Sequence, residues 1–264
     1  MSTVIENIER IETAKVNIKT AIEDKGVAVP ETATLDAYPD LIGQIQGGGG
    51  EITAEMMRDM GFGGSTFSQL PDMFKNADWS LKIKMNYCFA KCSSLASISL
   101  PSLPNVNEMD SCFETNKSLT SISLPSLPKV FSMQNCFYYC GSLTSITLPE
   151  LPKVTSMYYC FAYCTSLTSI NLPELPKVSN MGSCFNNCTS LENLVIGNLN
   201  PAVSNWTNWK LDSCTKLTVD SLVNVLNALP ERTGTNTCTL GTTNLNKLSD
   251  EQKAIATNKG WTLN

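Results

Sequence analysis

Histidine is missing from all 264 residues of the chain. Its absence removes the usual general base, the Ser-His and Cys-His dyads, and the commonest metal ligand. No paired carboxylates stand at catalytic spacing. The four glycines at 47–50 lack the Lys-Ser/Thr and the preceding strand of a phosphate loop. We therefore expect no catalytic residue, no cofactor and no metal, and not an enzyme. A basic excess is missing too: the formal charge is −5, which leaves no footprint for nucleic acid. There is no apolar run of about 18 residues, so no membrane span is expected. Residues 1–10 mix charge into their apolar pattern, unlike the basic region and apolar core of a secretory signal. The expected setting is cytosolic, particle-assembled, or exported by an unusual route.

What the chain does contain is a repeat. Cys88-Phe89, Cys112-Phe113, Cys136-Phe137, Cys160-Phe161 and Cys184-Phe185 recur every 24 residues, each with a methionine (Met85, Met109, Met133, Met157, Met181) three residues ahead. Constant spacing of this size means stacked supersecondary units, an α/β solenoid. In the strand part, Leu143, Ile146 and Leu148 follow L-x-x-L-x-L, and alternation puts Ile146 and Leu148 on one inward face. Thr144, Ser145 and Thr147 have counterparts in the neighbouring units, so hydroxyls stack in register and can bond to one another. Two prolines, Pro149 and Pro152, end the strand. Met157, Cys160, Phe161 and Cys164 then stand at i, i+3, i+4 and i+7, which predicts a two-turn helix opposite each strand.

The flanks differ from the repeats. Residues 1–46 read as a helical anchor: Thr3 and Glu6 form a capping box, and Val4, Ile8, Ile11, Ile18 and Ile22 lie on one stripe. Two short helices bury little alone, so this stripe is expected to face another subunit or protein, the other reading being a hairpin packed on the repeats. Its isoleucine core favours a homo-oligomer of three strands over two. Glycines 47–50 form a joint, and the aromatic stretch 51–84 suits an N-terminal cap. Repeats run over 85–213, and 214–264 closes them. There Thr218 should start a helix carrying Leu222, Val225, Leu226 and Leu229; Thr237–Leu240 should form a strand; Ser249 and Gln252 should box a last helix, and Trp261–Leu263 should add an edge strand.

The string F-x-x-C-x-S-L-T-S-I-x-L-P, in phase over about 85–196, resembles the BspA-type (Treponema-type) leucine-rich repeat. The second cysteine and the P-x-L-P turn depart from that pattern. The resemblance implies a curved solenoid of 24-residue units, one short strand plus one short helix each, used mostly in adhesion and host contact. Residues 10–45 are similar to a short module of phage structural proteins, and 217–229 to the closing segment of phage and gut-bacterial versions of the repeat. These likenesses imply a non-enzymatic phage fibre or decoration protein in the virion, assembled in the host cytoplasm. It would be held to other virion proteins through 1–46 and would contact a host surface protein or glycan. The alternative is an adhesin on the bacterial cell surface.

Two side-chain types suggest chemistry. Eleven cysteines include the C-x3-C pairs Cys88/Cys92, Cys136/Cys140, Cys160/Cys164 and Cys184/Cys188. A thiolate metal site and disulfides both fit the count. The apolar neighbours, the wide spacing and Asn116 at the matching position favour buried free thiols. Tyrosine is the candidate for partner contact: Tyr87, Tyr138, Tyr139, Tyr158, Tyr159 and Tyr163 flank the inward positions, where other units put Asp110, Ser111, Glu114, Gly182, Asn186 or Asn187. The alternative reading is rim packing between adjacent segments.

Overall fold

A computed structural model describes residues 84–92, 95–197, 199, 209–233 and 236–264, with isolated positions between 16 and 29. Five short strands follow one another: β1 (Ser97–Ser99), β2 (Ser121–Ser123), β3 (Ser145–Thr147), β4 (Ser169–Leu172) and β5 (Asn193–Ile196). They pair in parallel, with Ser97 beside Ser121 and Ser121 beside Ser145, then Ser169 beside Asn193. The offset is one sequence repeat each time. The middle residue of each of the first three strands, Ile98, Ile122 and Ile146, points inward and its neighbours point to solvent. Such strands are too short to hold alone and depend on the stack.

The hydroxyl ladder differs from expectation. Thr120 Oγ1 donates to the Ala96 carbonyl (3.2 Å), Thr144 Oγ1 to the Thr120 carbonyl (3.0 Å) and Thr168 Oγ1 to the Thr144 carbonyl (3.4 Å). The hydroxyls satisfy backbone acceptors of the preceding unit, one residue before each strand begins, instead of bonding to each other.

The expected helix in each unit is absent. Residues 133–140 form two consecutive four-residue turns, closed by Cys136 N–H to the Met133 carbonyl (3.3 Å) and Cys140 N–H to the Phe137 carbonyl (3.2 Å). The third residue of each turn has positive φ: Asn135 at 53° and Tyr139 at 60°. Four other N–H groups, on Met133, Asn135, Phe137 and Tyr139, donate to carbonyls of Ser156, Tyr158, Cys160 and Ala162 in the next unit, at 2.8 to 3.0 Å. Tyr138 N–H closes a turn on Asn135, and Gln134 N–H reaches Asp110 Oδ1 (2.9 Å). All eight donors are thus used, half of them between units. A helix would have kept its donors to itself. The apolar spacing misled because two turns of four place their first and last residues inward, which is again i, i+3, i+4 and i+7.

The interior repeats column by column. Phe89, Phe113, Phe137, Phe161 and Phe185 are buried and stack nearly parallel, with ring centroids 5.2 to 5.7 Å apart. The methionines, Leu95 and its equivalents, Leu103 and its equivalents, and Val106 and its equivalents fill the remaining columns of one continuous core. The second-cysteine column is a hydrogen-bond ladder. Cys140, Cys164 and Cys188 donate S–H to the carbonyls of Phe113, Phe137 and Phe161 at 3.1, 3.2 and 3.1 Å. Asn116 does not break this ladder: its Nδ2 bonds to the carbonyls of Phe89 (2.8 Å) and Phe113 (3.0 Å).

The C-terminal part covers the last strand. Helix α1 (Val219–Ala228) starts at Thr218, whose hydroxyl accepts the Ser221 N–H (3.2 Å). Its side chains occupy the edge of β5: Leu194 N–H donates to Ser221 Oγ (3.0 Å) and Ile196 N–H to Asn224 Oδ1 (2.8 Å). An exposed edge is thereby closed. Strand β6 (Asn236–Cys238), helix α2 (Gly241–Leu245), helix α3 (Asp250–Thr257) and strand β7 (Trp261–Leu263) follow, β6 and β7 pairing in parallel. The Ser249–Gln252 capping box opens α3. Lys259 Nζ donates to the carbonyls of Leu226, Asn227 and Leu229 and so caps α1. Of the anchor stripe, Val4, Ile8, Ile11 and Ile18 lie outside the described residues, while Ile22 is helical and buried. The joint at 47–50 and the expected cap up to residue 83 also lie outside them.

Candidate functional site

The turn segments of units three and four bring five of the six tyrosines into one aromatic surface. Tyr139 and Tyr163, equivalent residues of adjacent units, stack face to face at 4.4 Å and 11°. Tyr138 meets Tyr139, Tyr159 and Tyr163 edge-on at 5.0, 6.1 and 5.6 Å. Tyr158 packs edge-on against Tyr159 at 4.5 Å. Edge-to-face and offset-stacked pairs at these distances are the favoured aromatic arrangements, and each adds about 0.5–1.5 kcal/mol beyond area burial. Tyr139 and Tyr158 remain 42% and 37% exposed. Tyr87 is the outlier. It is 51% exposed and, among the described residues, makes no ring contact with the other five.

Backbone geometry makes the choice of residue informative. Tyr87, Tyr139, Tyr159 and Tyr163 all have φ between 53° and 63°. The left-handed region costs an ordinary L-residue roughly 1–2 kcal/mol, and Asn tolerates it best after Gly. The same turn position holds Asn135 in unit three and Asn187 in unit five. Folding alone favours Asn there, yet these positions carry tyrosine.

Burial pushes the Tyr138 hydroxyl pKa up, helped by the other tyrosines and by Glu114. Gly182 supplies the floor for Tyr158: a Cβ there would meet the ring carbons at 3.0 and 3.1 Å. This role had no signal in the sequence, because it depends on which ring lies over which backbone. Asp110, grouped with the variable surface by sequence position, instead serves the backbone. Its Oδ1 accepts from Gln134 N–H (2.9 Å) and from Ser132 Oγ, as Asn86 Oδ1 accepts the Asp110 N–H (2.9 Å).

The cysteines are not placed for chemistry. All eleven are free and buried. Burial raises the thiols of Cys136, Cys160, Cys164 and Cys188 far above their ordinary range, and those of Cys140, Cys184, Cys214 and Cys238 to about 12. A thiol that does not ionise is neither nucleophile nor metal ligand.

Short parallel strands in one-unit offsets, a stacked phenylalanine column and a carbonyl-directed Cys/Asn ladder define a leucine-rich repeat protein. The profile of the BspA type leucine rich repeat region matches residues 65–134 and 133–253, in six copies. The chain belongs to this family. Neither a curated protein nor a solved structure matches it.

Proposed function

We propose that the chain is a non-enzymatic binding protein of a phage particle, a fibre or decoration component, whose repeats wind as a solenoid. It is attached through residues 1–46 and presents its repeat surface to a host or virion partner. The observation that carries recognition is the five-tyrosine surface. Tyrosine supplies large rigid contact area with a polar tip at small entropic cost, which is why it concentrates at interfaces. Here it does so at positions where the backbone favours another residue. The attachment half of the reading rests on the apolar stripe of Val4, Ile8, Ile11, Ile18 and Ile22, with self-association through that stripe, three strands being favoured.

The test is mass spectrometry and negative-stain imaging of purified particles carrying the full chain or residues 47–264. The full chain should be found on particles. The truncation should be lost from them while keeping its circular dichroism. A truncation that stays on particles, or that unfolds, refutes the modular reading. Release of the full chain by protease treatment of intact bacteria, with none on particles, would instead identify a bacterial surface adhesin, a role the same tyrosine surface serves equally well.

A further inference from the structure

Resting on the recognition role proposed above, we infer that the tyrosine surface binds an uncharged glycan. The three adjacent turn segments 133–140, 157–164 and 181–188 contain no Asp, Glu, Lys or Arg. The flanking second unit, by contrast, carries Asp110 and Glu114, and the first carries Lys91. A partner read by charge would require complementary charges at the centre of the surface, and a membrane surface would call for basic residues. This centre offers neither. It offers aromatic rings with partly open faces at Tyr139 and Tyr158, surrounded by the neutral amides Gln134, Asn135, Asn186 and Asn187.

That pairing matches the two faces of a sugar ring. Its C–H face packs on the electron-rich face of a tyrosine, and its hydroxyls exchange hydrogen bonds with amides and phenols. Among the described residues, the hydroxyls of Tyr138, Tyr139 and Tyr163 form no hydrogen bond of their own. They are left to serve a ligand.

The left-handed positions give a clean test. Tyr139→Asn and Tyr163→Asn remove rings at sites where the same backbone already accepts Asn135 and Asn187, so the double variant should fold and keep its melting temperature. The full chain and this variant are applied to an array of neutral, sialylated and sulfated oligosaccharides, and hits are measured by titration calorimetry. The expected result is retention of the full chain on neutral glycans, weakened at least tenfold in the variant. Binding confined to sialylated or sulfated glycans, or neutral binding unchanged in the variant, overturns the assignment. So does a melting temperature that collapses in the variant, which would make the rings packing elements. A bacterial protein captured by the full chain and lost in the variant, with the array silent, would leave the recognition role standing and overturn the glycan alone.

Discussion

Alkali should unfold this protein about as effectively as denaturant does. Eight thiols, those of Cys136, Cys140, Cys160, Cys164, Cys184, Cys188, Cys214 and Cys238, are pushed up by burial to about 12 or beyond. In the unfolded chain a thiol ionises near 8.5. Since the folded value lies above the unfolded one, the stabilisation is complete below about pH 8.5 and drains away as pH climbs toward the folded value. One unit above the unfolded value, each thiol withdraws about 1.4 kcal/mol, so eight withdraw about 11 kcal/mol. A domain's whole stability is about 5–15 kcal/mol. A cooperative transition is therefore expected between about pH 9 and 10, with reductant present to prevent oxidation. Circular dichroism follows the fold and ultraviolet absorbance follows the thiolates. The two should change together, and iodoacetamide should label the cysteines only after the transition. Thiolate absorbance rising near pH 8.5 with the circular dichroism intact would refute a buried cysteine ladder.

Three substitutions test the stack itself. Phe137→Ala empties the middle of the phenylalanine column, where the ring is fully buried between Phe113 and Phe161, and should cost about 3–5 kcal/mol in denaturant unfolding. Asn116→Ala strands the Phe89 and Phe113 carbonyls and should cost about 1–3 kcal/mol, whereas Asn116→Cys should recover most of that loss by restoring the donor used in the other units. Thr115→Asn relieves a β-branched residue at φ 62° and should raise stability by up to about 1 kcal/mol, read as an upward shift in melting temperature.

The repeat and its inward residues were legible because they recur: a column of Met, Cys, Phe, Leu or Val is visible once five units are aligned. The caps at Thr218 and Ser249 were legible because each is a local rule within four residues. The turn segment was not. Its apolar spacing is shared by a helix and by paired turns, and only the destination of the N–H groups separates them. The hint that was present, Asn or Ser at Ser111, Asn135, Ser183 and Asn187, marks left-handed positions. It is diluted by tyrosine at the same positions. The ring contacts of Tyr138 across two units and the bed that Gly182 makes for Tyr158 could not be read at all, since they arise between residues 21 to 25 apart that the stacking geometry alone brings together.

Because half of the donors in each turn segment reach across to the neighbouring coil, register there is collective. Gaining or losing a single amino acid in such a segment would misalign every bond beyond it. Gaining or losing a complete repeat would merely lengthen or shorten the ladder. Evolution can thus change the reach of this molecule by duplicating whole modules, and repaint its outer positions one at a time, while the interior wiring stays as it is.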